Sequence, residues 1–348
     1  MFRSNVERMT PYSPGEQPLD VERVVKLNTN ENPYPPSPQV LQALRDLPAD
    51  ALRRYPDPDA TRLRSAAARA WSLASPAMVL AGNGSDDLLT IVVRAFAGEG
   101  DIVSFPWPTY SLYKTLCAIQ NATALPVWWE DNYRLPQGLV DAHAKLVLVA
   151  NPNAPSGTFV PVADLEALAR AIDGVLVIDE AYVDFADDSF LRVITRHDNV
   201  IVLRTLSKSY SLAGARIGFA VAAPALIAGL RKVKDSYNVD AMCLAIGEAA
   251  LADVSHLRAN VLAICNERRR LSDQLSLLGF EVVPSHANFV LARRATPTAR
   301  VIHEALKARG VLVRYFDDTA LLDCLRITVG RPQDTDALVF ALHEVLRT

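Results

Sequence analysis

Several short stretches of this chain place residues capable of chemistry just past apolar runs. Asp179-Glu180-Ala181-Tyr182 follows Val175-Leu176-Val177-Ile178, which sets a carboxylate and a phenol beyond the end of a strand-like segment. Arg204-Thr205-Leu206-Ser207-Lys208 follows the run at 200–203 in the same way, with Gly214 and Arg216 close behind. Asn151-Pro152-Asn153-Ala154-Pro155-Ser156-Gly157 follows the run at 145–150, and Gly82-Asn83-Gly84-Ser85-Asp86 is a glycine-rich turn that opens a helical pattern. Free N–H groups at a helix start bind phosphate, a lysine amine forms an imine with a carbonyl, and a carboxylate can pair with a buried cation. Singly, each has a plainer meaning: a tight turn with a Ser/Asp cap, a capping acid, a solvated loop lysine. Together they describe a phosphate cradle, a carboxylate, a lysine and an arginine.

The elements that must position these groups alternate from about residue 76 onward. Strands are expected at 78–81, 101–105, 123–128, 145–150, 174–178, 200–203 and 216–221, with amphipathic helices at 86–97, 110–120 and 162–172 between them. Near-continuous apolar strands suit a sheet covered by helices on both faces, and the alternation implies an α/β fold with a mainly parallel central sheet. Ligands of such sheets collect beyond the carboxyl ends of the strands, where the reactive residues fall. Around Val239 the rhythm changes to a long helical region at about 242–278, strands at 281–283 and 288–292, a helix at 298–309, and strands at 311–314 and 325–328. The expected organisation is a Pro-rich N-terminal arm (1–36) laid over a neighbour, a large domain (37–240) and a smaller α+β domain (241–348).

The 348 residues are half hydrophobic and carry a net charge of −3. That balance offers no basic field for nucleic acid and no polybasic membrane patch, so an anionic ligand must be held by local groups. The start of the chain lacks the apolar core of a targeting segment, and no run is long enough for a membrane span. The four cysteines are scattered without a CxxC pair, which suits reduced thiols in a cytoplasmic protein. The six histidines form no ligand-spaced pair, so no metal is expected. Ser111-Leu112-Tyr113-Lys114 fits a hydrolase S-x-x-K without its partner motifs, and His303-Glu304 and His343-Glu344 lack the second histidine of a zinc site.

Pyridoxal 5'-phosphate needs the parts assembled above: an amine for the imine, a carboxylate to keep the ring nitrogen protonated, and a cradle for the phosphate. At these residues the sequence resembles the fold-type I, pyridoxal-phosphate-dependent aminotransferases, most closely their histidinol-phosphate aminotransferase branch. The resemblance rests on SKSYSLAGAR at 207–216, LNTNENPYPPSP at 27–38, RYPDP at 54–58, PTYSLY at 108–113 and KDSYNVD at 234–240. It implies that Lys208 carries the cofactor and moves the substrate proton, Asp179 pairs with the ring nitrogen, and Tyr182 bonds the ring oxygen. Tyr110 would stack on the ring; Ser207, Arg216, Gly84, Ser85 and Asp86 would hold the phosphate. Tyr55 would reach that phosphate from a partner subunit, making a homodimer with shared sites. Arg326 would take a substrate carboxylate as a planar fork, and Arg314, Tyr12 and Asn30, with Tyr237 and Asn238, would read the rest of the substrate.

The resemblance further implies a small-molecule amino donor and keto acceptor, with an amino group passed between histidinol phosphate/imidazole-acetol phosphate and glutamate/2-oxoglutarate in histidine biosynthesis. An aromatic or broad-range aminotransferase and a decarboxylase of a phosphorylated amino acid share the scaffold. One position departs from the family pattern. The asparagine expected immediately before the Pro-Thr-Gly turn, whose amide bonds the ring oxygen, is Ala154 here, and the turn is Pro155-Ser156-Gly157. Either Asn153 takes over that contact or Tyr182 bears it alone.

Overall fold

The computed structural model describes residues 1–12, 15–20 and 24–347. Its strands are β1 (Val25–Leu27), β2 (Val79–Gly82), β3 (Ile102–Trp107), β4 (Thr123–Trp128), β5 (Leu146–Ala150), β6 (Val175–Asp179), β7 (Val200–Thr205), β8 (Gly218–Ala222), β9 (Glu281–Val283), β10 (Phe289–Arg293), β11 (Val311–Tyr315) and β12 (Cys324–Thr328). A seven-stranded sheet runs β2-β8-β7-β6-β5-β3-β4. Only β8 is antiparallel to its neighbours. The expected mainly parallel α/β sheet is present.

The period of two along each strand explains why the runs are almost wholly apolar. In β5, Leu146 and Leu148 pack with Leu88, Ile91 and Val92 of the Ser85–Phe96 helix and with Tyr113 and Leu116 of the Leu112–Gln120 helix. Val147 and Val149, on the other face, pack with Val162, Leu165 and Leu168 of the Val162–Ala171 helix. A strand between two helical layers has no wet face, so neither alternate position can be polar.

A second, five-stranded sheet runs β1-β11-β12-β10-β9. Its core joins Leu27, Val290, Val313 and Ile327 to Ile264, Leu271 and Leu275 of the Val254–Leu277 helix, and to residues of the Ala299–Ala308 and Pro332–Arg347 helices. The arm is therefore not only an extended cover, because β1 pairs in parallel with β11 from Val25↔Val311 to Leu27↔Val313. Residues Ser4–Arg8 also form a short helix.

The long helical region expected at 242–278 is split. One helix covers Ala241–Ala252, and Asp253 caps the next by accepting from His256 N at 3.2 Å. The two halves also pack differently. Cys243, Ile246 and Leu251 join Leu63, Ile217 and Phe219 on the first sheet, whereas Ile264 and Leu271 face the second. We propose that the smaller unit begins at Asp253 rather than at residue 241. Helices at Pro38–Arg45, Thr61–Ala70, Pro224–Leu230 and Pro332–Arg347 were not foreseen from the sequence pattern.

Candidate active site

Parallel pairing puts the carboxyl ends of β2, β3, β5, β6 and β7 on one rim of the large sheet, together with the start of β8. The reactive segments emerge there. Asp179 ends β6 and is buried; its Oδ1 accepts from Ala181 N at 3.1 Å and its Oδ2 from Tyr113 OH at 3.4 Å. Burial pushes its pKa up to about 6, against the lowering effect of those two donors and of Lys208. No cation stands within ion-pair distance of Asp179, nor any carboxylate within that distance of Lys208, among the described residues. Lys208 Nζ lies 5.6 Å from the centre of the Tyr182 ring.

The glycine-rich turn forms the cradle. Gly84, at φ +84°, is the residue before the Ser85–Phe96 helix, and no side chain caps that helix start. Its first N–H groups are therefore open to a ligand. A Cβ on Gly84 would stand 2.8 Å from Arg216 Nη2, and one on Gly218 would stand 2.7 Å from Ser85 N. Only glycines let β8 and Arg216 approach the helix start this closely. Arg216 Nη2 is 3.2 Å from Asp86 Oδ2, and Tyr110 OH donates to Asp86 Oδ1 at 3.0 Å. Ser207 Oγ is buried 2.9 Å from Thr205 Oγ1 on the same rim.

The Tyr110 hydroxyl is held well above its ordinary pKa, first by burial and then by Asp86. Its ring meets Tyr113 at 5.8 Å and Tyr12 of the arm at 6.0 Å, both edge-on. Tyr113, which sequence reasoning gave no role, is fully buried and supports Asp179. Its sequence signal was its place at the end of the PTYSLY motif at 108–113.

Asn30 is buried at φ +56° and donates from Nδ2 to Tyr182 OH at 3.0 Å. Its backbone is tied to the second sheet through Thr328 Oγ1 (2.9 Å) and Asn288 Nδ2 (3.0 Å). Asn30, expected as a substrate contact, bridges the arm, β12 and Tyr182. Asn153 is held from both ends of its amide. Its Oδ1 accepts from Thr109 Oγ1 at 2.7 Å, while Nδ2 donates to Ser156 Oγ at 2.8 Å and Pro108 O at 3.2 Å. Its amide is thus engaged in bracing the segment that carries Tyr110. Ala154 packs with Ala287, Phe289 and Tyr182, so of the two options for the ring oxygen the geometry favours Tyr182.

Arg314 and Arg326 are direct partners across β11 and β12, hence on one face. Both guanidiniums lie against Phe316, at 5.4 and 5.5 Å from its ring centre. Arg326 donates from Nη2 to Asn28 O at 3.0 Å, and its Nε is sealed from water without a hydrogen-bond partner. Burial lowers its pKa, and no acid pairs with it among the described residues. Its guanidinium is thus partly desolvated and keeps donors in reserve among the described residues, the chemistry by which a planar fork meets a carboxylate or phosphate.

Tyr55 stands apart from this cluster. It is 81% exposed, stacked on Tyr237 at 4.5 Å, beside a cavity of about 400 Å³ lined by Leu47, Ala51, Leu63 and Leu244. Asn238 props the cradle from below, donating to Ala81 O and Asp87 Oδ2 at 3.2 Å each. Among the described residues there is no cluster of His, Cys, Asp or Glu able to hold a metal.

The chain matches the family model "Aminotransferase class I and II" over residues 22–342. It is 47% identical to histidinol-phosphate aminotransferase 1 of Trichormus variabilis, covering 99% of both chains. It is 46% identical to histidinol-phosphate aminotransferase of Rhodopirellula baltica, covering 100% of this chain and 96% of that one. Among solved structures it resembles histidinol-phosphate aminotransferase from Sinorhizobium meliloti in complex with pyridoxal-5'-phosphate, with a TM-score of 0.91, 31% identity, and 99% and 97% of the two chains covered. By this family model and these relatives, the chain belongs to the class I and II aminotransferases, in their histidinol-phosphate aminotransferase branch.

Proposed function

We propose that this chain exchanges an amino group between histidinol phosphate and 2-oxoglutarate, as in histidine biosynthesis, with pyridoxal 5'-phosphate carried on Lys208. The carrying observation is the placement of an acid and an amine without ionic partners among the described residues, Asp179 and Lys208, with the uncapped helix start at Gly84 beside Arg216. These residues fit the cofactor. A cationic ring nitrogen offsets the desolvation that raises Asp179, and a phosphate at the helix start gives Arg216 a stronger partner than Asp86.

The bound cofactor supplies an electron sink for the charge left when Cα of the substrate loses a proton. Lys208 Nζ, released as a free amine when the substrate's amine takes its place on the cofactor, would take this proton from Cα and return it one step later, as a general base and then acid. Asp179, kept ionised by the ring cation, holds the ring in its electron-accepting state. Tyr182 accepts from Asn30, which leaves its own hydroxyl hydrogen for the ring oxygen. Arg326 and Arg314, on one face, hold the anionic end of either substrate: a phosphate ester or a dicarboxylate.

The test of the reading is an amino-donor panel of glutamate, histidinol phosphate, phenylalanine and threonine phosphate, followed by the cofactor spectrum. Conversion by histidinol phosphate and glutamate without CO2 release is expected; a response to phenylalanine alone would overturn it. Arg314→Ala is expected to lower kcat/KM for histidinol phosphate by about 10- to 100-fold, the worth of a charge-assisted contact, and to change a neutral amino acid far less. Equal losses would point to a broad-range enzyme.

The working unit in this reading is a homodimer with shared sites. Supporting it are Tyr55, exposed at the cavity, and the exposed Leu52 and Met242 on the Asp50–Arg53 and Ala241–Ala252 helices that help line it, since exposed apolar side chains gathered on one surface mark interaction sites. Mixed dimers of inactive Tyr55→Phe and Lys208→Ala chains are expected to regain activity, because one site of each hybrid is whole; no recovery after verified subunit exchange would argue against sharing. The four free cysteines suit a cytoplasmic setting, and no described helix is long and apolar enough to cross a membrane.

A further inference from the structure

Beside the lysine lies a buried group of charges that proton transfer does not use. Glu180 follows Asp179 and faces the other way, as alternate residues at a strand end do: Asp179 meets Tyr113, while Glu180 meets Ser189 and Phe190. The Glu180 side chain is wholly buried, with Oε1 accepting from Phe190 N at 2.6 Å and Oε2 from Ser189 Oγ at 2.7 Å. Arg204 Nη1 stands 3.5 Å from Glu180 Oε2, and its guanidinium lies 5.1 Å from the centre of the Trp71 ring. Arg204 Nη2 donates to Asp184 Oδ1, and Asp184 Oδ2 accepts from Ser209 Oγ.

Ser209 is the residue after Lys208, and Asp184 lies two residues after Tyr182 in one turn. The chain of contacts therefore runs from the end of β6, through the turn carrying Tyr182, to the loop carrying Lys208. The arm adds a further tie: Asn32 Nδ2 donates to Lys208 O at 2.9 Å and Ser209 O at 3.2 Å. Lys208 itself is a flexible stem whose amine makes no ion pair among the described residues, so its reach is set by where its backbone is fixed. Buried ion groups add little net stability over apolar packing, and fixing one arrangement is their best-attested use.

We propose that Asp184 and Arg204, anchored by Glu180, are positioning residues that hold Lys208 at working distance from Tyr182 and Asp179 through the Ser209 hydroxyl. The inference rests on the reading of Lys208 as the cofactor-bearing lysine. Misplacing a reacting group by about 1 Å can cost on the order of 100-fold in rate, so one hydroxyl at the base of the lysine is enough to matter.

The test uses the full-length chain, first freed of cofactor and then given pyridoxal 5'-phosphate. Capture at Lys208 is followed by the absorbance of the lysine-bound cofactor and verified by borohydride trapping and peptide mapping. Ser209→Ala is expected to slow capture and lower kcat by on the order of tenfold, with KM for glutamate held within about twofold and an unchanged unfolding midpoint. Asp184→Asn, which keeps an acceptor for Ser209, should recover part of the loss seen in Asp184→Ala. The double variant Ser209→Ala/Asp184→Ala should be no slower than Asp184→Ala, because both cut one link. Capture and kcat in Ser209→Ala within about twofold of the parent, or effects of the two sites that multiply, overturn the positioning role alone. A parent chain that captures no cofactor at Lys208 overturns this role and the reading beneath it. If Asp184→Ala fails to fold, Ser209→Ala decides the matter by itself.

Discussion

Lys208→Ala is expected to lower transamination by at least about a thousandfold, since general acid–base catalysis alone contributes 10²- to 10⁴-fold and this residue also carries the cofactor. The protein should nonetheless remain folded. Lys208 makes no ion pair among the described residues, and its amine approaches the Tyr182 ring at 5.6 Å. Its alanine variant should therefore unfold at nearly the parent temperature and still bind the cofactor through Asp179 and the Gly84 cradle. Borohydride should trap the cofactor on the parent chain at Lys208 and leave the variant unlabelled. Full activity in the variant would end the assignment.

Asp179→Asn should separate stability from function. Burial raises the Asp179 carboxyl from its ordinary 3.8 to about 6 in the cofactor-free chain. The folded state thus holds this proton more tightly than the unfolded state. The associated stability is fully present below about pH 4 and drains away as pH rises towards 6. An amide carries no charge to desolvate and can still meet Ala181 N and Tyr113 OH. Relative to the parent, the cofactor-free variant should gain stability between pH 4 and pH 7, by roughly 3 kcal/mol at most. Denaturant unfolding at those two pH values measures the difference, and an unchanged gap would remove the argument. The loaded variant should instead lose activity on the order of 100-fold or more, because the preorganised negative charge opposite the ring nitrogen is gone.

The two expectations share a cause. An ionised acid kept dry without a counter-ion is unfavourable until a cationic ligand arrives. Binding then recovers what folding gave up. Active-site groups are often set against stability in this way.

Much of the large sheet was legible in the chain because its determinants are local. A strand such as β5 declares itself in Leu146-Val147-Leu148-Val149, since both faces are dry and each residue must be apolar. Edges blurred by a residue or two where capping decides them, as at Asp253, which divides one helical pattern in two. Strand β1 was missed because three residues of Pro-rich arm carry no periodicity; only the neighbouring β11 makes them a strand.

Lys208, Asp179, Arg216 and the Gly84 turn were also readable, because each sits immediately after an apolar run and the rim of a parallel sheet collects such ends. What the sequence by itself determined was therefore the layer architecture and the identity of the groups on that rim, both functions of residues close together in the chain. Only the tertiary structure decided how those groups are partnered. Asn153 is claimed by Thr109, Tyr182 by Asn30, Asp179 by Tyr113, and Ser209 by Asp184 and through it Arg204. These partners are distant in the chain, and they meet because the strand order β7-β6-β5-β3 gathers the loop ends of the large sheet and the pairing of β1 with β11 brings the arm residue Asn30 over them. The left-over donors of Arg326 have the same origin: only the fold shows that no acid pairs with this guanidinium among the described residues, which is what supports the proposal that it takes an anion.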